Sequence, residues 1–317
     1  MMKNNSKITK PKTNTKAGSP PDISIVIPTY QRSEVLLNTI NDVLNQSHKN
    51  IELLVVDQTK THKPSTLKKL AAIKDPRFRY FSVDPPSVTA SKNFALHNAK
   101  AEIVLFLDDD VELHKDLAKI HLKAFADNPK LSAVGGRVLQ KGFPIQKQVL
   151  SFDELAVTHG VFTATEPGYT NAFPGGNVSM RVKDALSVGG FDTRYYLNAF
   201  REESDMSMKM TKRGMKIYFE PKAILTHLAA PKGGSRSRTY KNILDTRMFY
   251  ANELFFTLRM AEHRIKALRH KHWEYCRVPA TSKLHTLKRT VLFGLGLVAA
   301  VWRLVLPRKI VAKERPN

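Results

Sequence analysis

The stretch AEIVLFLDDDVEL, residues 101–113, runs five apolar residues, Ile103 to Leu107, straight into three aspartates. A short continuous apolar run bounded by polar residues reads as a strand buried on both faces. Adjacent carboxylates at its end repel one another, yet the chain around them is strongly basic. It holds 51 Lys and Arg against 28 Asp and Glu, a net charge of +23. Something positive is therefore expected beside Asp108, Asp109 and Asp110.

Outward from this strand the pattern alternates. The runs ISIVIP (23–28), IELLVVD (51–57) and FRYFSV (78–83) read as strands. Helical spacing follows in 33–47, 64–73 and 87–99. Apolar strands alternating with helices predict an α/β fold with a mostly parallel sheet covered on both faces. Ligands in such sheets bind beyond the C-terminal strand ends. Thr29, Tyr30, Asp57 and the aspartate triplet all fall there. Further on, LSAVGGRVL, GGNVSMRV, KIYFEP and AILTHL read as strands, and 201–214 as a helix ended by Gly214.

The charge lies mainly at the ends. Residues 1–22 carry +4 and residues 231–317 carry +14, which leaves +5 for 23–230. The division expected is a disordered basic tail (1–22), a catalytic domain (23–230) and a basic helical C-terminal extension (231–317). The single cysteine, Cys276, excludes an internal disulfide or a cysteine-built metal site and suits a reducing compartment. No apolar signal-like run opens the sequence.

Asp108 and Asp110, two apart beyond a strand, can converge on one hard cation, Mg²⁺ or Mn²⁺, that keeps sites open for phosphate oxygens. A solvated acidic turn is the competing reading. The order of further motifs bears on the choice: SIVIPTYQR, LLVVDQT, SVTASKNFAL, LDDD, GGNVSMR, VGGFDTRY and REESDMSMKM. Together, over residues 23–230, they resemble the inverting nucleotide-sugar glycosyltransferases of family two, which have the GT-A fold. The first strand lacks the glycine-rich loop of dinucleotide-binding dehydrogenases.

The resemblance implies roles. Pro28, Thr29 and Tyr30 match the turn that cradles the nucleoside, and Asp57 the aspartate that hydrogen-bonds the base, usually uracil. Lys92 stands where the family commonly has an Arg near the phosphates. Asp108 and Asp110 match the DxD that holds ribose and metal, and His227 a late histidine that completes the metal shell. Glu203 inherits the place of the catalytic base, one methylene longer than the family's usual aspartate, with Asp205 as an alternative. Gly175, Gly176 and Asn177 are expected beside the donor sugar and acceptor. Simpler readings stand next to these. Tyr30 could pack, Asp57 could cap the next helix, His227 could be an ordinary half-buried histidine, and acids at a helix start favour its dipole.

At the basic end, Leu254, Leu258, Ala261, Ile265 and Leu268 form a helical apolar stripe. Residues 291–302 are twelve apolar residues without a break, flanked by Lys288, Arg289, Arg308 and Lys309. At about 1.5 Å per residue that run falls short of a bilayer core. Lying in an anionic membrane interface is the expectation, with a buried domain helix as the alternative. Arg236 or Arg238 in GGSRSR could close over a diphosphate. The QxxRW signature and the several long spans of the family's processive synthases are absent from the sequence.

The function expected is therefore metal-dependent, inverting transfer of one sugar from a nucleotide-diphosphate donor, a UDP-sugar. The acceptor would be a lipid-linked or cell-surface polysaccharide glycan, and the site of action the cytoplasmic face of a membrane. A catalytically silent transferase-like scaffold is the first rival. A nucleic-acid-binding protein is the second, although the basic ends carry no known reading motif and no nucleic acid is expected as partner.

Overall fold

A computed structural model describes residues 19–234, 243–277, 282–307 and 311–315. The N-terminal half alternates as its patterning demands: β1 (Ile23–Thr29), α1 (Glu34–Leu44), β2 (Ile51–Asp57), α2 (Pro64–Ala71), β3 (Phe78–Asp84), α3 (Val88–Asn98) and β4 (Ile103–Leu107). Next come β5 (Val111–Leu113), α4 (Leu117–Asp127), β6 (Leu131–Leu139) and a small hairpin, β7 (Ser151–Phe152) with β8 (Thr158–His159). Then follow β9 (Gly168–Thr170), β10 (Asn177–Arg181), α5 (Val182–Ser187), α6 (Glu202–Lys212) and β11 (Lys216–His227). The C-terminal part holds α7 (Ile243–Met260), α8 (Arg264–His272), a π-helical turn at Trp273–Arg277, α9 (Lys283–Val305) and β12 (Lys313–Glu314).

The main sheet runs β12-β3-β2-β1-β4-β10-β6-β11-β5, with β9 also on β11. Strands β3, β2, β1 and β4 are parallel, and β10 enters antiparallel between β4 and β6. Thr29 pairs with Asp57 and Leu107 with Asn177, so the ends of β1 and β4 open onto one edge. Strand alternation sorts the core. Ile23, Ile25, Ile27, Leu53, Val55, Leu105 and Leu107 face the layer of α1 and α4, while Val26, Leu54, Val56, Val104 and Phe106 face α3, α5 and α6.

Two elements differ from the sequence reading. KIYFEP and AILTHL form one long strand, β11, whose register against β6 shifts between Glu220 and Ile224. Pro221 lies inside that shift and has no N–H to give the ladder, so a bulge absorbs it. Helix α4 was not assigned from sequence, although Leu117, His121, Ala124 and Phe125 form its buried stripe.

The C-terminal helices share a core with the transferase-like part. Tyr250, Leu254, Phe255 and Phe256 of α7 pack with Phe152, Tyr195, Ala199 and Met208, and with Leu292, Phe293 and Ala300 of α9. After α9 the chain returns to the far edge of the sheet. β12 pairs with β3, and the Arg315 amide donates to the Ser82 carbonyl at 2.7 Å. Arg236 and Arg238 lie outside the described residues, as do residues 1–18 of the basic tail.

Candidate active site

The aspartate triplet finds its cation within the chain. Arg32, two residues beyond Tyr30, is buried with its guanidinium across two of the three carboxylates. Its Nε donates to Asp109 at 3.0 Å and its Nη2 to Asp110 at 2.9 Å. Thr29 Oγ1 adds a hydrogen bond to Asp109 at 2.7 Å, and the Ala230 amide one to Asp110 at 2.8 Å. Burial pushes the Asp109 carboxyl up to about 6, against the pull of Arg32 and Thr29. Burial also raises Asp110, but the hydrogen bond and charge of His227, with Arg32, outweigh it and hold that carboxyl below its ordinary value.

Asp108 is different, with a side chain 51% exposed that faces a cavity of about 260 Å³. One guanidinium against three carboxylates leaves the site short of positive charge. His227, at the end of β11, reaches in beside it. Its Nδ1 hydrogen-bonds Gln140 Oε1 at 2.7 Å, which turns Nε2 toward Asp110 Oδ1 at 3.1 Å and Asp108 Oδ2 at 4.0 Å. Two carboxylate oxygens and an imidazole nitrogen are a donor set that Mn²⁺ or Mg²⁺ accepts. The Gln140 bond is the outer support that fixes which nitrogen a histidine ligand presents. The 3.1 Å from His227 Nε2 to Asp110 Oδ1 is close to one edge of an octahedron with bonds of about 2.1 Å, whereas the 4.0 Å to Asp108 Oδ2 is longer, so the donor types fit the ion and the half-exposed Asp108 would have to draw in. Among the described residues no group of three or more His, Cys, Asp or Glu side chains is arranged to hold a metal ion.

Two glycines make room opposite the triplet. A Cβ on Gly176 would stand 2.0 Å from Asp108 Oδ2, and one on Gly175 would stand 3.2 Å from Glu203 Cβ. A side chain at Gly176 would displace the Asp108 carboxylate and one at Gly175 would crowd Glu203, so bare backbone lets the turn pass between the two acids undisturbed. Glu203 opens from the first turn of α6 into the cavity. It also borders a second cavity of about 310 Å³, which shares Asp108, Gly175, Gly176 and His227 and continues along Phe152, Phe162, Phe173 and Phe200.

The residue before this helix, Arg201, sits at φ 75°, a left-handed conformation that costs an arginine roughly 1–3 kcal/mol. Its guanidinium is anchored to Glu253 of α7 at 2.7 and 3.2 Å and to Thr158 at 2.9 Å. Glu253 in turn receives Lys271 of α8 at 2.9 Å. The C-terminal helices thus brace the turn that aims Glu203.

The structure brings Pro28, Thr29, Tyr30, Lys92, Asp108, Asp110, Gly176, Glu203 and His227 around one cavity. Four expectations are corrected in part or whole. Asp57 is fully buried and turned away: its oxygens take the Thr59 amide at 2.7 Å, His62 Nε2 at 2.7 Å and the Tyr80 hydroxyl at 2.9 Å. Gln58 lines the wall in its stead. Asn177 is also buried and faces α4, where strand alternation turns it. It donates to the carbonyls of Arg137 and Ala223 and pairs with His121 at 3.0 Å, riveting β10 to β6 and β11. Lys92 lies in the wall but is matched within the protein, since its ammonium meets Glu202 at 2.5 Å and the Gly175 carbonyl at 3.3 Å. Burial pushes Glu202 up to about 7, with Lys92 pulling it down. Asp205 is remote from the cavity and buried against Arg259, Tyr195 and Lys209.

Arg32, Gln140 and Glu202 are site residues that the sequence reading missed. Arg32 had a signal: it stands in TYQR, at the end of the strand beside the one carrying the acidic triplet. Gln140 had none, because only the fold brings it to His227.

Comparison with known proteins agrees with this architecture. The family model of glycosyl transferase family 2 matches residues 24–185. A GalNAc(5)-diNAcBac-PP-undecaprenol beta-1,3-glucosyltransferase of Campylobacter jejuni is 32% identical over 95 residues, covering 29% of this chain and 31% of that protein. Among solved structures, the mannosyltransferase PcManGT of Pyrobaculum calidifontis, in complex with GDP-Man and Mn²⁺, aligns with a TM-score of 0.54 at 18% identity over 90% of this chain and 75% of its own. GalNAc-T7, with UDP, GalNAc and Mn²⁺, aligns with a TM-score of 0.63 at 13% identity over 90% of this chain and 58% of its own. These likenesses give the fold, which is GT-A. The chain spans only 17% of the length of several curated relatives that it matches. With the family model covering more than half of the sequence, on the very strands that build the cavity, the chain belongs to glycosyl transferase family 2.

Proposed function

We propose that the protein is a metal-dependent, inverting glycosyltransferase that moves one sugar from a nucleotide-diphosphate donor, a UDP-sugar, to a lipid-linked or cell-surface polysaccharide acceptor. The observation that carries this reading is the position of Glu203 between two cavities, facing Asp108 across a side-chain-free turn. The first cavity takes the nucleotide diphosphate, with Pro28, Thr29 and Tyr30 on the nucleoside side. The second, with its aromatic walls, takes the acceptor.

In this reading Glu203 accepts the proton of the acceptor hydroxyl. The freed oxygen lone pair forms the bond to the anomeric carbon, and the bond from that carbon to the diphosphate breaks on the opposite side, its electrons leaving with the diphosphate. Configuration inverts in one displacement. Asp108, Asp110 and His227 would hold the divalent ion, which supplies positive charge for the departing diphosphate. Lys92, tied to Glu202, serves to shape the wall under Gly175 rather than to bind phosphate as a free cation.

Residues 23–230 act as the catalytic part and 231–317 as a basic, membrane-associating part at the cytoplasmic face. Helix α9 is long and apolar enough to cross a membrane. Two facts favour lying on the surface instead. Its inner face (Leu292, Phe293, Gly296, Ala300) is packed on the protein, and the chain beyond it returns to β3. Its outer face carries Leu284, Leu287, Val291, Leu295, Val298, Trp302 and Val305, all exposed, at three- and four-residue spacing.

The test is Glu203→Gln. Turnover is expected to fall by about 10²–10⁴-fold, with binding of the nucleotide sugar, read by calorimetry across UDP- and GDP-sugars, nearly unchanged. Wild-type turnover in this variant would remove the assignment.

A further inference from the structure

A second basic feature lies away from the active site. At the C-terminal end of α6, Lys209, Lys212 and Arg213 meet Arg259 of α7, Arg264 of α8 and Leu304 of α9 around an open pocket of about 390 Å³. Among the described residues no acidic side chain lines it. Two of its cations are matched from behind: Arg259 pairs with Asp192 and Asp205, and Lys209 with Asp205. The other three are not. Lys212 donates to the Met260 carbonyl at 2.7 Å and Arg213 to the Ser187 carbonyl. Arg264 is exposed, and no carboxylate among the described residues pairs with any of these three. Concentrating unmatched cations around one concavity raises the local potential and costs self-repulsion, which a bound anion relieves.

The pocket's rim identifies the anion. Val188, Leu258, Met260 and Leu304 give it apolar walls, and Val301 and Val305, neighbours of Leu304 on the surface of α9, are exposed. A soluble phosphate has no use for an apolar rim, whereas a phospholipid presents a charged phosphate tethered through glycerol to acyl chains. A basic pocket adjoining an exposed apolar helix surface is the composition expected at the headgroup level of a bilayer. We propose that this pocket is a headgroup site for the phosphate of an anionic phospholipid, with the acyl chains meeting the outer face of α9. The inference rests on the membrane-surface reading above and adds to it a defined anion site. That site lies six to ten residues along α6 from Glu203, about 9–15 Å, so lipid binding and sugar transfer are separable by mutation.

The experiment is vesicle flotation of the full chain on phosphatidylcholine with and without phosphatidylglycerol, with inorganic phosphate titrated in a parallel thermal-shift series. The variant is Lys212→Gln, Arg213→Gln, Arg264→Gln. Its control removes the same charge from exposed lysines elsewhere, Lys68→Gln, Lys119→Gln, Lys130→Gln. Arg264→Gln alone, which breaks no hydrogen bond or ion pair among the described residues, guards against misfolding. The pocket variant is expected to lose affinity for phosphatidylglycerol vesicles at least about tenfold, the control far less, and Arg264→Gln an intermediate amount. Equal losses in variant and control would overturn the site in favour of diffuse charge. Wild-type flotation by the pocket variant, with phosphate shifting only the wild-type melting temperature, would overturn the lipid assignment. Failure of the wild type to float on any vesicle would refute the membrane reading beneath it.

Discussion

Arg32 resolves the crowding of the acidic triplet by splitting its members. Asp109 and half of Asp110 are spent on the guanidinium, while Asp108 and the remaining Asp110 oxygen stay turned toward His227. Composition assigns no separate tasks to the three acids, yet the DxD spacing was legible because it depends on only three adjacent residues. Asp57 and Asn177 were misread for one reason: their positions at strand termini are visible in sequence, but the direction of each side chain depends on partners from other elements. Gly176 yields a direct prediction. Alanine there would place a methyl group on the Asp108 carboxylate, so Gly176→Ala is expected to abolish most Mn²⁺-dependent nucleotide binding while the melting temperature moves by only a few degrees. A second prediction concerns His121, which burial pushes down to about 4 while Asn177 pulls it up. The unfolded chain takes that proton first as the pH falls below about 6.5. The stability contributed by neutral His121 is therefore complete above that pH and lost as the pH drops toward 4, by about 3 kcal/mol in all. Asp109 and Glu202, with raised values, act in the opposite direction across overlapping ranges. The readout is therefore the difference in denaturation midpoint between wild type and His121→Asn, which is expected to shrink as the pH falls from 7 to 4.5 by a wide margin.

At the scale of elements, the parallel strands and α1, α2, α3 and α6 were readable because their burial is written in local periodicity. Helix α9 was readable only in part. Its apolar run was plain, but its true length of 23 residues includes the basic turn before that run, started by Ser282 accepting from the His285 amide at 3.1 Å. Nothing in the sequence said which face would pack. The structure shows it through Gly296, where a Cβ would lie 2.6 Å from Tyr250 Cβ and 3.2 Å from the Ala251 amide, whereas a Cβ on Gly294 meets nothing. Gly296→Leu is expected to pry α9 from α7 and destabilise the protein by about 1–3 kcal/mol or more. Gly294→Leu should be neutral, or stabilising by up to about 1 kcal/mol through helix propensity. Equal melting temperatures for the two variants would contradict the packing of this helix pair.

For the whole molecule, the uneven charge and the shared core belong together. The basic helices do not hang from the transferase fold: Arg201, Glu253 and Lys271 link them to the turn that presents Glu203. Sequence revealed the charge of that region but not this link, since its three members are spread over 70 residues of chain. Removing 231–317 is accordingly expected to cost transfer activity as well as membrane binding, checked by assaying a soluble acceptor analogue. Asp108, Asp110 and His227 would hold a divalent ion that supplies positive charge for a diphosphate, and calorimetric titration of UDP with Mn²⁺ and with EDTA tests this most directly. The wild type is predicted to bind at least about tenfold tighter with Mn²⁺, a difference that Asp108→Asn erases. Equal affinity with and without the metal in the wild type would contradict it.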